Sequence, residues 1–370
     1  MKPAGPAAEN LALIQVFRGI AALAVALHHS AHRVQALPDV VGAVQPFWLG
    51  RFVNMEVGAV GVDLFFVISG FIMTYTTPRA AAPRPGPFLR RRFIRIYPLY
   101  WICSFIALAV LASRWVQGMK YGPLAIAQSL LLYPTLYQDS VRPVLLPQGW
   151  TLIYEVIFYL LFAATLRWSR PRQTLLVCGL LGALFGAARL LPVGHELRVL
   201  LSDQILFEFV LGMSLGVLLC EYRVALPPRV AFATTALGLA LLAPSAFVPA
   251  YDWSVPRLLK FGLPAVLIIG GLLLHPGQSR WPMPRFLRFL GDASYSVYLV
   301  HTIVLLLFTT AFPRIPSLGR LPPDLYFLLL GAAIVAAGSA CYFLVERPLL
   351  RFCRSLLPRP RPAVLAPATP

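Results

Sequence analysis

The chain has 370 residues, 58% of them hydrophobic and only 12% charged, with 32 Lys and Arg against 14 Asp and Glu for a net charge of +18. Bilayer-length apolar runs recur along the whole length, which excludes an ordinary soluble domain. The basic residues sit in short loops between those runs, not on one surface; this excludes nucleic acid and favours anionic membrane lipids and an anionic ligand as partners.

Apolar segments fall near residues 10–32, 58–77, 92–112, 148–167, 172–192, 203–221, 229–248, 256–275, 293–312 and 324–346. The pattern predicts an all-α polytopic membrane protein of about ten transmembrane helices. An even number puts both termini on one side. Most basic residues gather at one set of helix ends, including Lys2, Arg79 to Arg95, Arg167 to Arg172, Arg223, Arg229, Arg280 to Arg288 and Arg347 to Arg361. The positive-inside rule makes those ends, and both termini, cytoplasmic, in a cell's inner (plasma) membrane. The stretch 122–138 is short and carries Gln128, Pro134 and Gln138. Were it a span, every later loop would invert, so it reads as an interfacial or re-entrant piece of an outer loop. The five cysteines show no CxxC or Cys/His spacing, so neither a disulfide framework nor a metal site is expected. Residues 1–350 read as one membrane domain and 351–370 as a basic, Pro-rich, disordered cytoplasmic tail.

Ionisable residues at membrane depth are costly and usually serve a function. In the first segment, Arg18 and His29 are eleven residues apart, about three turns, so they share one helix face some ~16 Å apart along the axis. A snorkelling anchor is the alternative for Arg18. His28 and His32 lie near the outer end, where solvation is the simple reading, and His28 is turned off the stripe. Asp63 in the second segment and Glu155 in the fourth enter from outside and share a depth band with His29. Their expected role is to orient and charge that histidine, as acids do in acyl-transfer triads; a cap or an ion pair is the alternative. Arg92 and Arg95, three apart at the cytoplasmic mouth of the third segment, present paired guanidinium groups suited to phosphate. In the ninth segment Tyr295, Tyr298 and His301 lie at helical spacing, either lining a substrate path or forming a packing network. Glu346 closes the last segment before Pro348.

In order, these residues form Arg-x10-His (18–29), Gly-Val-Asp-Leu-Phe-Phe-Val-Ile-Ser-Gly-Phe (61–71), Arg-x-x-Arg-Ile-x-Pro (92–98), Trp-Thr-Leu-x-x-Glu (150–155), Ser-Tyr-Ser-x-Tyr-Leu-x-His (294–301) and Glu-x-Pro (346–348). Across roughly residues 10–350 the set resembles the integral-membrane acyltransferase 3 family, and the second motif most resembles its exopolysaccharide-modifying branch. The resemblance implies an O-acyltransferase moving an acyl group, often acetyl, from cytoplasmic acyl-CoA to a carbohydrate hydroxyl. It implies no tightly bound cofactor. His29 and Arg18 would be the active-site pair, Arg92 and Arg95 would serve the CoA side, and polysaccharide assembly machinery would be a partner. The soluble esterase-like domain fused in some members is not expected here.

The chemistry of the residues agrees with that implication. A sugar hydroxyl is a poor nucleophile and needs a base; His29 can serve near neutral pH. Direct transfer and an acyl-histidine intermediate are both compatible. The competing reading is a transporter or flippase for an anionic sugar or lipid, since intramembrane Arg, His, Asp and Glu also serve proton relays. The chain shows no repeat between its halves, which many transporters carry.

Overall fold

The computed structural model describes residues 6–35, 49, 58–78, 83–113, 121–137, 140–141, 143–247, 255–311, 315 and 321–357. Each of the ten apolar segments holds a helix. In chain order the helices are α1 (Pro6–Gln35), α2 (Val60–Thr76), α3 (Pro85–Ala112), α4 (Pro123–Leu130), α5 (Trp150–Ala164), α6 (Arg170–Leu190), α7 (His195–Leu201), α8 (Leu206–Cys220), α9 (Pro228–Phe247), α10 (Leu263–Leu273), α11 (Arg285–Asp292), α12 (Ser294–Ala311), α13 (Pro323–Cys341) and α14 (Arg347–Ser355). Five-residue π-helical turns, Leu258–Gly262 and Tyr342–Glu346, lead into α10 and α14.

The 122–138 stretch forms α4, of eight residues, followed by a two-residue antiparallel ladder with Leu136 opposite Val141. Eight helical residues rise only ~12 Å, far less than the bilayer core. Among the described residues, five helices are long and apolar enough to cross a membrane, or six if the bent pair α11–α12 is one span. The sequence pattern suggests ten. The shortfall arises because α2 and α5 run for only 17 and 15 residues, the apolar stretch of α9 runs only from Pro228 to Pro244, and turns of other geometry interrupt the run into α10. Helix α14 reaches Ser355, past residue 350; residues 358–370 of the expected tail lie outside the described residues.

Large apolar side chains face outward all round the bundle, including Leu175, Phe232, Leu328 and Leu344. In a soluble protein this surface would be an aggregation liability; on apolar helices it is a lipid-facing surface, and the chain is a membrane protein.

Two glycine contacts position the site. Gly70 of α2 lies where an added Cβ would be 2.0 Å from the Phe209 carbonyl oxygen, and Gly212 of α8 answers at 1.9 Å from that of Val67. Gly19 of α1 and Gly291 of α11 pair likewise, at 2.5 Å from the Leu287 carbonyl oxygen and 1.9 Å from that of Gln15. Small residues let membrane helices approach backbone to backbone. The chain then bends by 74° between α11 and α12. This sets Ser294, the first residue of α12, directly beside Arg18 of α1.

Candidate active site

A cavity of about 160 Å³ opens between α1, α2, α3, α5 and α12, with Arg18, Arg92, Arg95, Glu155, Tyr295 and Tyr298 among its lining residues. The Arg18 guanidinium donates to Ser294 Oγ (2.9 Å) and to Gln15 Oε1 (3.1 Å). Gln15 Nε2 in turn donates to Asp292 Oδ1 (2.9 Å). Arg18 is therefore held in place while carrying no direct carboxylate partner among the described residues.

Arg95 is ion-paired with Glu346, which also accepts from Ser296 Oγ at 2.5 Å. Its guanidinium lies 5.0 Å from the centre of the Tyr295 ring. Arg92 lies over Phe88 and Tyr159, at 5.4 and 5.7 Å, and its buried Nε has no hydrogen-bond partner among the described residues. Glu155 accepts from Tyr159 Oη and from Ser69 Oγ (3.4 Å), and no described cation lies within ion-pair distance of it. The cavity thus offers cations and one carboxylate to whatever enters it.

Tyr298 forms part of the cavity wall. Its Oη donates to the Gln148 carbonyl oxygen (2.7 Å) and lies 2.7 Å from Thr151 Oγ1. Phe65, also in the wall, meets the Tyr298 ring edge-on at 6.1 Å. Next to Tyr298 is His301, fully buried, with ring centres 5.7 Å apart, and next to His301 is His29, at 5.1 Å. His29 itself does not line the cavity.

Both histidines are oriented by backbone. The Nδ1 of His29 is 2.9 Å from the Val25 carbonyl oxygen, and that of His301 is 2.6 Å from the Tyr298 carbonyl oxygen. A carbonyl only accepts, so each Nδ1 carries the hydrogen and the neutral ring keeps its lone pair on Nε2. His301 Nε2 is buried without a partner among the described residues.

The two acids expected beside His29 go elsewhere. Asp63 is completely buried, and both its oxygens accept from Arg257, at 3.0 and 2.9 Å. Fully buried Glu208 adjoins this pair, as does Asp203, which accepts from Tyr154 Oη at 2.9 Å. Glu155 faces the arginine cavity. The structure therefore gathers Arg18, Arg92, Arg95, Glu155, Tyr295 and Tyr298 around one space, sets His301 and His29 behind its wall, and puts Asp63 in a second polar cluster. On α2, Ser69, which lines the cavity, stands about 120° around the helix from Asp63.

The acyltransferase domain family matches residues 11–342 of the chain. The chain belongs to the acyltransferase 3 family. It is 34% identical to the exopolysaccharide production protein ExoZ of Rhizobium meliloti (strain 1021), over 80% of this chain and 91% of the relative. The acyltransferase MdmB of Streptomyces mycarofaciens is 28% identical over 98% of this chain and 96% of its own length. The peptidoglycan O-acetyltransferase OatA of Listeria monocytogenes is 26% identical over 79% of this chain and 51% of the relative. No solved structure matches the chain significantly.

Sequence reasoning missed three participants in this acyltransferase 3 fold. Glu208 is an acid within an apolar run, so the rule that flagged Asp63 applied to it equally. Arg257 stands beside Pro256 at the start of its segment, 256–275, where the sequence motifs assign it no role. Glu346 read as a helix terminator, and nothing local named Arg95 as its partner.

Proposed function

We propose that this acyltransferase 3 protein is a ten-span O-acyltransferase of the inner membrane, with both termini and residues 351–370 in the cytoplasm. It moves an acetyl group from cytoplasmic acyl-CoA to a hydroxyl of an exopolysaccharide or its lipid-linked precursor. Residues 1–350 form the catalytic membrane domain, and no tightly bound cofactor takes part. The likeness to relatives named for exopolysaccharide production and for peptidoglycan O-acetylation supports the carbohydrate acceptor. The observation that carries the proposal is the arginine-lined cavity backed by two histidines, both with Nε2 left for chemistry.

In this reading His29 Nε2 takes the proton of the acceptor hydroxyl as its oxygen attacks the thioester carbonyl carbon. Arg18, held by Ser294 and Gln15 about 16 Å along α1 from His29, acts on the donor side of the thioester. As the intermediate collapses, the carbon–sulfur bond breaks and the imidazolium returns its proton to the departing thiolate. A transient acetyl on His29 Nε2 uses the same atoms in two steps. Arg92 and Arg95 hold the donor side and Glu155 balances their charge. Tyr295 and Tyr298 line the substrate side, with His301 between that wall and His29, and Asp63 acts by fixing α2 through Arg257.

The test is transfer from acetyl-CoA labelled in the acetyl group, in inverted membrane vesicles supplied with polysaccharide precursor. Alkali-labile label on the carbohydrate is expected. Movement of unlabelled sugar across the vesicle membrane with no label transferred would favour a transporter instead.

A further inference from the structure

A second cavity, of about 380 Å³, lies on the other side of Arg18 and Arg95, which line both spaces. Its remaining walls include Asp292, Glu346 and, from α14, Arg347, Arg351 and Arg354. These three arginines stand at i, i+4 and i+7, within about 60° of one helix face. Phe352 and Leu356 occupy the opposite face and are 63% and 67% exposed. The apolar side of α14 is thus turned outward, as a lipid-contacting surface is, and the arginine stripe turns into the cavity.

The acids in this cavity are already engaged. Glu346 holds Arg95 and Ser296, and Asp292 accepts from Gln15. Among the described residues no ion pair involves Arg347, Arg351 or Arg354. Three forked cations on one face, none of them ion-paired among the described residues and set against the single unpaired carboxylate of Asp292, call for a ligand with several phosphates close together.

We infer that this cavity seats the nucleotide end of acyl-CoA. Arg347, Arg351 and Arg354 hydrogen-bond its phosphates, and the pantetheine arm passes between Arg18 and Arg95 to deliver the thioester to the inner cavity. The inference rests on the acyl-CoA reading above and adds where the donor is held. An anionic lipid headgroup offers similar phosphate chemistry. Two features favour the nucleotide: the stripe faces away from the apolar side of its helix, and its cavity adjoins the inner one through Arg18 and Arg95.

The experiment uses the full-length protein in vesicles of neutral phosphatidylcholine, with and without added phosphatidylglycerol. Binding of adenosine 3′,5′-bisphosphate is measured directly, and KM and kcat are measured for acetyl-CoA and acetyl-pantetheine. Wild type should bind the bisphosphate in neutral vesicles. Arg351→Ala/Arg354→Ala should weaken that binding roughly tenfold or more for each charged hydrogen bond to phosphate that is removed. The variant should raise KM for acetyl-CoA more than it lowers kcat, so the preference for acetyl-CoA over acetyl-pantetheine collapses. Arg351→Lys/Arg354→Lys should recover part of it. Arg172→Ala/Arg229→Ala removes equal charge from exposed sites elsewhere and should leave the preference intact.

An Arg351→Ala/Arg354→Ala variant that keeps both bisphosphate binding and the preference overturns the assignment while leaving acetyl-CoA as donor. Binding confined to vesicles with phosphatidylglycerol, or variant effects seen only there, makes the site a lipid site and also overturns it. Wild type that binds bisphosphate but transfers no acetyl group upholds the nucleotide site and overturns the reaction reading instead.

Discussion

His29 donates from Nδ1 to the carbonyl one helical turn earlier, so its chemistry is confined to Nε2. His28, its neighbour, packs edge-on against His32 with ring centres 4.5 Å apart and crowds Gly58. Its ring also meets that of His29 edge-on, at 5.5 Å. His29→Ala should cut acetyl incorporation into polysaccharide by about 10²–10⁴-fold, the usual contribution of a general base, with membrane content unchanged. His28→Ala should cost far less. Incorporation normalised to membrane-inserted protein decides it, and a larger loss from His28→Ala would remove His29 from the mechanism. The rule that membrane-depth charges are functional picked out Arg18, His29, Asp63 and Glu155 from the sequence. It gave no means of pairing them. Asp63 takes Arg257, 194 residues later, because α2 packs on α8 and on the turn before α10; that choice is tertiary and has no local trace in the chain. Breaking such a buried pair from one side costs about 3–5 kcal/mol, so loss of activity in an Asp63 variant reports stability as much as chemistry.

Among the elements, the α1–α11 contact ties the fold to the site. Gly291 sits 1.9 Å (as an added Cβ) from the Gln15 carbonyl oxygen, one turn before Arg18. Ser294, three residues after Gly291, receives the Arg18 guanidinium at 2.9 Å. A branched side chain at 291 must push the two backbones apart and lengthen that bond. Gly291→Val should lower thermal stability and raise KM for acetyl-CoA more than it lowers kcat, because Arg18 is assigned to the donor side. A variant that loses stability yet keeps the wild-type KM for acetyl-CoA would show that the contact matters only for folding. The positions of the helices were legible because each apolar run is long and uninterrupted. The 74° bend at residue 293 was not: Arg280 to Arg288 read as a basic helix end and 293–312 as a span, and no proline marks the corner. The π-turns were equally silent, since one extra residue per turn leaves an apolar run apolar. Both irregularities adjoin functional groups, Ser294 at the bend and Glu346 at the end of a π-turn, as inserted turns in helices often do.

At the scale of the whole molecule, charge and chemistry point the same way across the membrane. Arg18, Arg95, Glu346 and the α14 arginines cluster around two adjoining cavities. Asp63, Glu208 and Arg257 form a separate cluster, and Asp63 lies thirteen residues, about 20 Å of helix, from the Thr76 end of α2. His29 is about 16 Å along α1 from Arg18. If the donor is acyl-CoA, as proposed, its phosphates confine it to the cytoplasm, which makes the arginine end the inner one and turns the His29 end toward the acceptor. The same orientation follows independently from the basic loops. It is tested with single cysteines in a background where the five native cysteines are replaced. Gly86, where an added side chain meets nothing within 4 Å, and exposed Ser355 report the predicted inner face; Gly194, between α6 and α7, reports the outer one. A membrane-impermeant maleimide on intact cells should label Gly194→Cys alone. Gly86→Cys and Ser355→Cys should react only after permeabilisation. Labelling of Ser355→Cys from outside would put the α14 arginines beyond the reach of cytoplasmic acyl-CoA, and with them the donor site and the inward-to-outward direction of transfer would fall together.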